Sequence, residues 1–307
     1  MGRLALRPGL RAYAHAQAGA DAEEFSPASI PQTVLWIDAA DDAYRTMTGS
    51  YVATIKDKGW LNAAGWAAAG GAGTLTENQT FTLSTTASTH SLHEAIAGKG
   101  NGNKFFVLGP TGAYLSSRGW YTPSASPYNL TTGAGSAAVE ADWLLWQLYF
   151  IADDNTYPEY LFFARGDTAN SPADMQTVFN TSTTAPITGD WGASGGTTAN
   201  TWATSTSPVP WVVPRGSVGV LLLQSYDDGG ARTYRMSQNG STWAEFAHGE
   251  TNGSPSAASN EWRVWMKHHA GPKTVALGEA GFCGGAVSDA DIASLYSYLD
   301  DKWDIGT

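Results

Sequence analysis

Ser217 to Phe246 reads SVGVLLLQSYDDGGARTYRMSQNGSTWAEF. Val218 to Leu223 is an apolar run of strand length, rich enough in Val and Leu to be covered on both faces. Asp227-Asp228-Gly229-Gly230 interrupts it with residues that tolerate positive φ. Thr233 to Ser237 alternates, setting Tyr234 and Met236 against Arg235 and Ser237. Asn239-Gly240 is the strongest hairpin signal in the chain, since both central residues of a type I′ turn need φ > 0. Trp243 to Phe246 returns as a third strand. Three consecutive antiparallel strands form a meander, and its apolar face needs cover from the rest of the chain.

The composition agrees with a β protein. Charged residues make up 15% of the 307, while Gly numbers 35 and Trp and Tyr 13 each, which favours turns and strands over helices. A chain of this length buries a sizeable core. The net charge of −11 argues against a nucleic-acid surface. One cysteine, Cys283, excludes an intrachain disulfide framework. No apolar run reaches the length of a membrane span.

Residues 1–20 run against the overall charge, with Arg3, Arg7 and Arg11 and no acid. No apolar stretch follows, so a secretory signal is not expected. Pro8 and Gly9 interrupt any amphipathic helix. Residues 1–32 read as an extended arm. It is either a loose terminus or a device that docks on an acidic neighbour.

Further strands are expected at Thr33–Ile37, Val52–Lys56, Thr80–Leu83, Lys104–Leu108, Ala113–Leu115 and Met175–Phe179. Trp143–Ile151 (WLLWQLYFI) reads as a central strand with Tyr160–Ala164 as its hairpin partner. Trp262–Lys267 and Thr274–Phe282 close the strand set. His90–Ile96 reads as a helical turn, Asn62–Gly73 as loop, and residues 119–138 and 180–210 as long loops. One helix ends the chain. Ser288 is its N-cap with Asp291 three residues on, and Ile292, Leu295, Leu299 and Trp303 form one apolar stripe.

Several of these patches together resemble a known family. Leu35-Trp36-Ile37-Asp38-Ala39, a following strand ending in Asp57-Lys58-Gly59, the Asn239-Gly240 hairpin after a buried strand, Glu279–Phe282, and Ser288 through Tyr298-Leu299-Asp300-Asp301-Lys302-Trp303 resemble concanavalin A-like (laminin G-like) jelly-roll domains of bacterial and phage proteins. The family's Asp-Lys-Ser-Gly lacks its Ser here. The resemblance spans roughly residues 33–305. It implies an all-β, two-sheet antiparallel jelly-roll sandwich over 33–307, with one C-terminal helix and the N-terminal arm.

The superfamily includes glycoside hydrolases, whose retaining members place two carboxylates about 5 Å apart. No Glu-x-Asp-x-Glu pattern occurs on a strand. Glu140-Ala141-Asp142 has the alternation without a third acid, and Asp153-Asp154 and Asp227-Asp228 read as turns. No catalytic residue is assigned. Asp38, Asp41 and Asp42 are candidate Ca²⁺ ligands, because a hard cation takes several oxygens; a solvated acidic loop is the alternative. No other cofactor is expected. His90, His93, Glu94, His268 and His269 lack zinc-site spacing. Cys283 reads as a small buried residue. Trp120, Tyr121, Tyr128, Trp191 and Trp202 fall in polar, turn-rich segments. They could stack on sugars, anchor an interface, or tuck under their loops.

The expectation is a non-enzymatic phage-type virion surface protein, assembled in the bacterial cytoplasm: a head decoration, spike, fibre or tail adhesin. Its lectin-like body would bind host glycans. The arm would dock on other virion proteins or on a homo-oligomer. A stand-alone carbohydrate-binding protein and a divergent glycoside hydrolase are the alternatives.

Overall fold

The structure is a computed structural model. It describes residues 24–49, 51–71, 74–77, 80–83, 91–108, 119–121, 142–152, 160–165, 175–179, 187–191, 200–201, 215–228, 231–240, 242–247, 262–267 and 275–306. The strands are β1 (Thr33–Asp38), β2 (Arg45–Thr48), β3 (Tyr51–Lys56), β4 (Thr80–Leu83), β5 (Ser91–Ala95), β6 (Lys104–Leu108), β7 (Gly119–Tyr121), β8 (Trp143–Ile151) and β9 (Tyr160–Arg165). They continue with β10 (Met175–Phe179), β11 (Ile187–Trp191), β12 (Asn200–Thr201), β13 (Val218–Asp228), β14 (Ala231–Gln238), β15 (Ala244–Ala247), β16 (Trp262–Lys267) and β17 (Val275–Cys283). Two helices are described, α1 (Ala63–Ala68) and α2 (Asp289–Trp303). The fold is thus mostly antiparallel β-sheet closed by one short C-terminal helix, and one hydrogen-bonded network joins the described strands.

The meander forms as its sequence predicts. β13 pairs with β14 and β14 with β15, both antiparallel. Asp227 and Asp228, expected as a turn, are instead the last residues of β13, paired with Arg232 and Ala231. Asn239 and Gly240 both have positive φ, 50° and 67°. They do not close a two-residue hairpin, since the β14–β15 register starts at Met236–Ala244. Asn239 instead extends the β13 edge. Its N–H donates to Val220 O at 3.0 Å and its Oδ1 accepts from Val220 N at 2.8 Å.

β8 is central. It pairs with β13 on one side and β17 on the other, and all nine of its residues are buried. β17 then divides its free edge, pairing with β6 through Val275–Leu277 and with β1 through Glu279–Cys283. A bulge at Gly278 makes that division. The helix α2 covers one face. Its stripe of Ile292, Leu295, Leu299 and Trp303 is buried, each side chain worth about 1.5–3 kcal/mol of burial. That sum outweighs the roughly 1 kcal/mol of its Ser288 cap, whose Oγ accepts from Asp291 N at 3.1 Å. Asn103 Nδ2 donates to the last-turn carbonyl of Lys302 at 2.7 Å.

Five sequence expectations need correction. Residues 180–210 are not all loop, since Ile187–Trp191 is β11, paired with β10, and Asn200–Thr201 is β12, paired with β11. His90–Ile96 is not a helical turn: Ser91–Ala95 is β5, because pairing with β6 carries it beside Phe105 and Phe106 of the core. Tyr160–Arg165 is not the hairpin partner of β8; β9 pairs with β16 and β10. Asn62–Gly73 is not all loop, since Ala63–Ala68 is helical, with Asn62 Nδ2 anchored to three backbone carbonyls before it. Gly119–Tyr121 is strand β7, paired with β4 and β16, so Trp120 and Tyr121 lie within the sheet network. Ala113–Leu115 lies outside the described residues.

The last residues of the expected arm lie on the body. Pro27–Ser29 forms a 3-10 turn, Ile30 is fully buried, and Phe25 meets Tyr298 edge to face at 6.3 Å. Residues 1–23, with Arg3, Arg7 and Arg11, lie outside the described residues.

Candidate functional site

Two clusters of polar side chains stand out, one buried and one open. The buried one is built from four of the patches that carried the family resemblance, all but Asn239-Gly240. Asp57, at the end of β3, has no solvent exposure. Its Oδ1 accepts from Trp36 N at 2.8 Å and Gly59 N at 2.7 Å, so it ties that turn to β1. Gly59 has no room for a side chain, because a Cβ there would sit 2.4 Å from Val34 O. The turn throws Lys58 back across β1, with its Nζ 4.0 Å from the Trp36 ring centroid.

Lys58 Nζ donates to Asp38 Oδ2 at 2.8 Å and Asp41 Oδ2 at 2.9 Å. Lys302 Nζ, from the last turn of α2, reaches Asp38 Oδ1 at 2.8 Å and Glu279 Oε2 at 2.7 Å. It also donates to the Tyr298 hydroxyl at 2.9 Å. Glu279, fully buried on β17, takes two indoles: Trp36 Nε1 at 2.7 Å and Trp303 Nε1 at 2.9 Å. β1, the β3 turn, β17 and α2 are therefore locked by one network of three acids and two lysines.

Burial opposes ionisation of Asp38, but Lys302 and Lys58 outweigh it and hold the carboxyl below its ordinary value. Burial, then the Asp38 charge, push Glu279 above the usual carboxylate range against the pull of Lys302. Its hydrogen-bond partners are all donors, so the site is shaped for the ionised form. Burial pulls Lys58 toward neutrality, but Asp38 and Asp41 prevail and raise it above 10.5. A base raised by folding contributes stability that is complete below its unfolded value and is lost as pH rises through the folded one. The urea midpoint should therefore fall above pH 10.5. Tyr149 and Tyr298, kept protonated by burial, push the same way, because the unfolded chain ionises them first. The difference between wild type and Lys58→Met isolates the lysine: the wild type should lose its advantage over the variant across this range.

The candidate Ca²⁺ ligands are thus placed differently from one another. Asp38 and Asp41 converge, but on the Lys58 ammonium, and Asp42 pairs with Arg45 instead. Among the described residues no three ligating side chains gather as a metal site. His93 is half-buried, with Nε2 at 2.6 Å from Ala39 O. Cys283 is buried against Thr33 Oγ1, and burial pushes its thiol up to about 12. Asp142 Oδ1 accepts from Asp227 N at 3.1 Å, while Glu140 and Asp153-Asp154 lie outside the described residues. Trp191 ends β11. Tyr128 and Trp202 lie outside the described residues.

The open cluster sits on the meander, and the sequence reading did not single it out. Arg235 stands opposite Gln224 on β13 and Glu245 on β15. Its guanidinium lies between two rings, 5.0 Å from the Tyr226 centroid and 4.5 Å from that of Trp243. Arg235 Nε donates to Gln224 Oε1 at 2.6 Å, and Gln224 Nε2 donates to Val287 O at 3.1 Å. Arg235 also pairs with Asp289, at the start of α2. The Tyr226 hydroxyl donates to Glu245 Oε1 at 3.0 Å. The available signal was the alternation that set Arg235 apart from Met236, together with a Trp just beyond the Asn-Gly turn. A separate polar depression of about 690 Å³ lies between Glu24–Ser26 and α2, beside Tyr298, Asp301 and Lys302.

No family model matches the sequence, and no curated protein matches it. The fold is similar to that of solved structures. The binding domain of botulinum neurotoxin serotype D aligns with TM-score 0.53 and 8% identity, over 88% of this chain and 53% of that one. The ligand-binding domain of the same serotype, in complex with N-acetylneuraminic acid, gives 0.50 and 9%, over 89% and 52%. A Trypanosoma rangeli sialidase in complex with sialic acid gives 0.45 and 11%, over 88% and 33%. The chain thus spans about half the length of the two toxin domains. At such identities the likeness to the two toxin domains shows a shared fold alone.

Proposed function

We propose that the chain is a non-enzymatic surface protein of a phage-type virion. Residues 33–307 form a two-sheet, concanavalin A-like jelly-roll body that recognises glycans. The basic arm, residues 1–32, docks on other virion proteins or on a second copy. The observation that carries the glycan reading is the shared fold, over most of this chain, with a toxin receptor-binding domain and a toxin ligand-binding domain in complex with N-acetylneuraminic acid. Among the described residues, the fate of the buried acids supports a binding role over hydrolysis. Asp38, Asp57 and Glu279 are each tied to lysine, indole or backbone N–H, which leaves none of them poised as a general acid or base. A stand-alone lectin is the second reading, and it makes the arm dispensable.

Light scattering tests the arm. The cut must fall before Phe25 and Ile30, which pack on the body, so the comparison is full length against a chain lacking residues 1–22. The full-length chain is expected to assemble, or to bind particles, while the shortened one stays monomeric. Two monomers that no particle recruits would overturn the docking role.

A further inference from the structure

The Arg235 cluster takes no part in the buried ion network, and its Arg235 side chain keeps 15% of its surface exposed. Tyr226, Arg235 and Trp243 are half-buried, held in place without being covered. Glu245 and Asp289 beside them are exposed. We propose that Tyr226, Arg235, Trp243 and Glu245 form a subsite for a neutral saccharide; this rests on the glycan-binding reading above.

A saccharide ring has an apolar C–H face and a rim of hydroxyls. The first stacks on an aromatic face, and the second needs fixed donors and acceptors within the same few ångströms. This shelf supplies both kinds. Trp243 and Tyr226 offer the partly exposed ring surface that the Arg235 guanidinium does not occupy, Arg235 offers its remaining N–H donors, and Glu245 and Asp289 offer carboxylate oxygens.

The shelf is also pre-ordered. Arg235 is clamped by Gln224, and Gln224 by the Val287 carbonyl just before α2. Tyr226 is fixed through its hydroxyl to Glu245. Few rotamers remain to be frozen when a ligand arrives.

Charge selects the ligand class. The shelf holds one guanidinium and two carboxylates, and Asp289 already neutralises the guanidinium. The chain as a whole carries −11. An acidic sugar would have to displace Asp289 and approach Glu245, whereas a neutral sugar can donate its hydroxyls to both. The ligand class is therefore a neutral hexose-type glycan, although one structurally similar domain carries a sialic acid.

The test is binding of the full-length chain to neutral glycans and their sialylated counterparts on one array, followed by titration of the hits. Trp243→Ala should weaken the best neutral ligand by about tenfold or more. Because Trp243 also packs against the edge of the core, Glu245→Gln serves as the second variant. It should weaken binding several-fold at unchanged Tm. If both variants fold and bind neutral glycans as the wild type does, the subsite is refuted while the glycan reading stands. If the wild type binds only sialylated glycans, the neutral class is wrong. If it binds no glycan, the subsite and the glycan reading fall together.

Discussion

Replacing Glu279 with alanine is expected to cost about 3–5 kcal/mol of folding free energy, the range for removing one partner from a buried charge network. The side chain is fully buried and accepts from Trp36 Nε1, Trp303 Nε1 and Lys302 Nζ. Its loss leaves two indole N–H groups without an acceptor and opens a cavity between β17 and α2. Lys302 keeps Asp38 and so is not stranded. Glu279→Gln should cost less than the alanine, since it keeps the volume and one acceptor oxygen, but it still destabilises because its amide N–H meets a donor. Urea unfolding of both variants checks the order. A loss below about 1 kcal/mol for the alanine would show that the network does not hold the helix to the sheet.

Gly281→Ala is the second large effect expected, at or above the upper end of the ~1–3 kcal/mol usual for overpacking a core. A Cβ at Gly281 would stand 2.0 Å from Trp146 Cζ2 and 2.6 Å from Leu35 O. Neither neighbour can yield cheaply. Trp146 has no solvent exposure, and Leu35 O belongs to β1, the strand paired with β17. Gly98→Ala is the control. Its φ is +69° with nothing within 4 Å, so only the cost of the left-handed backbone, about 1 kcal/mol, should appear. Thermal melts of the two variants separate crowding from backbone conformation.

Local pattern carried much of the fold. The Val218–Leu223 run, the alternation through Ser237 and the Asn239-Gly240 pair all report on neighbours in sequence, and the structure keeps them as strands and a left-handed turn. The stripe from Ile292 to Trp303 marked α2 for the same reason. Expectations failed where a partner outside the segment decides. Nothing local tells Ser91–Ala95 that β6 lies beside it, or tells β9 that its neighbour is β16 rather than β8.

The ion network shows the same limit. Trp36, Asp38, Lys58, Glu279 and Lys302 were visible only as family-like patches. Their meeting point depends on β1 pairing with β17 across some 240 residues, with Trp36 and Glu279 separated by 243. Asp38 and Asp41 read as candidate metal ligands because a sequence shows the acids of a loop; that the Lys58 ammonium donates to both is visible only in the structure. The Arg235 cluster escaped notice for a related reason. Alternation assigns Arg235 a face, but only the placement of α2 determines which part of that face stays open.

The measurement that bears most directly on the function is binding of the purified full-length chain to an array of neutral and acidic glycans, repeated with the chain lacking residues 1–22. The account predicts that both bind the same restricted set of glycans, because recognition belongs to the body and the arm serves only to dock. Failure of both to bind any glycan would contradict it.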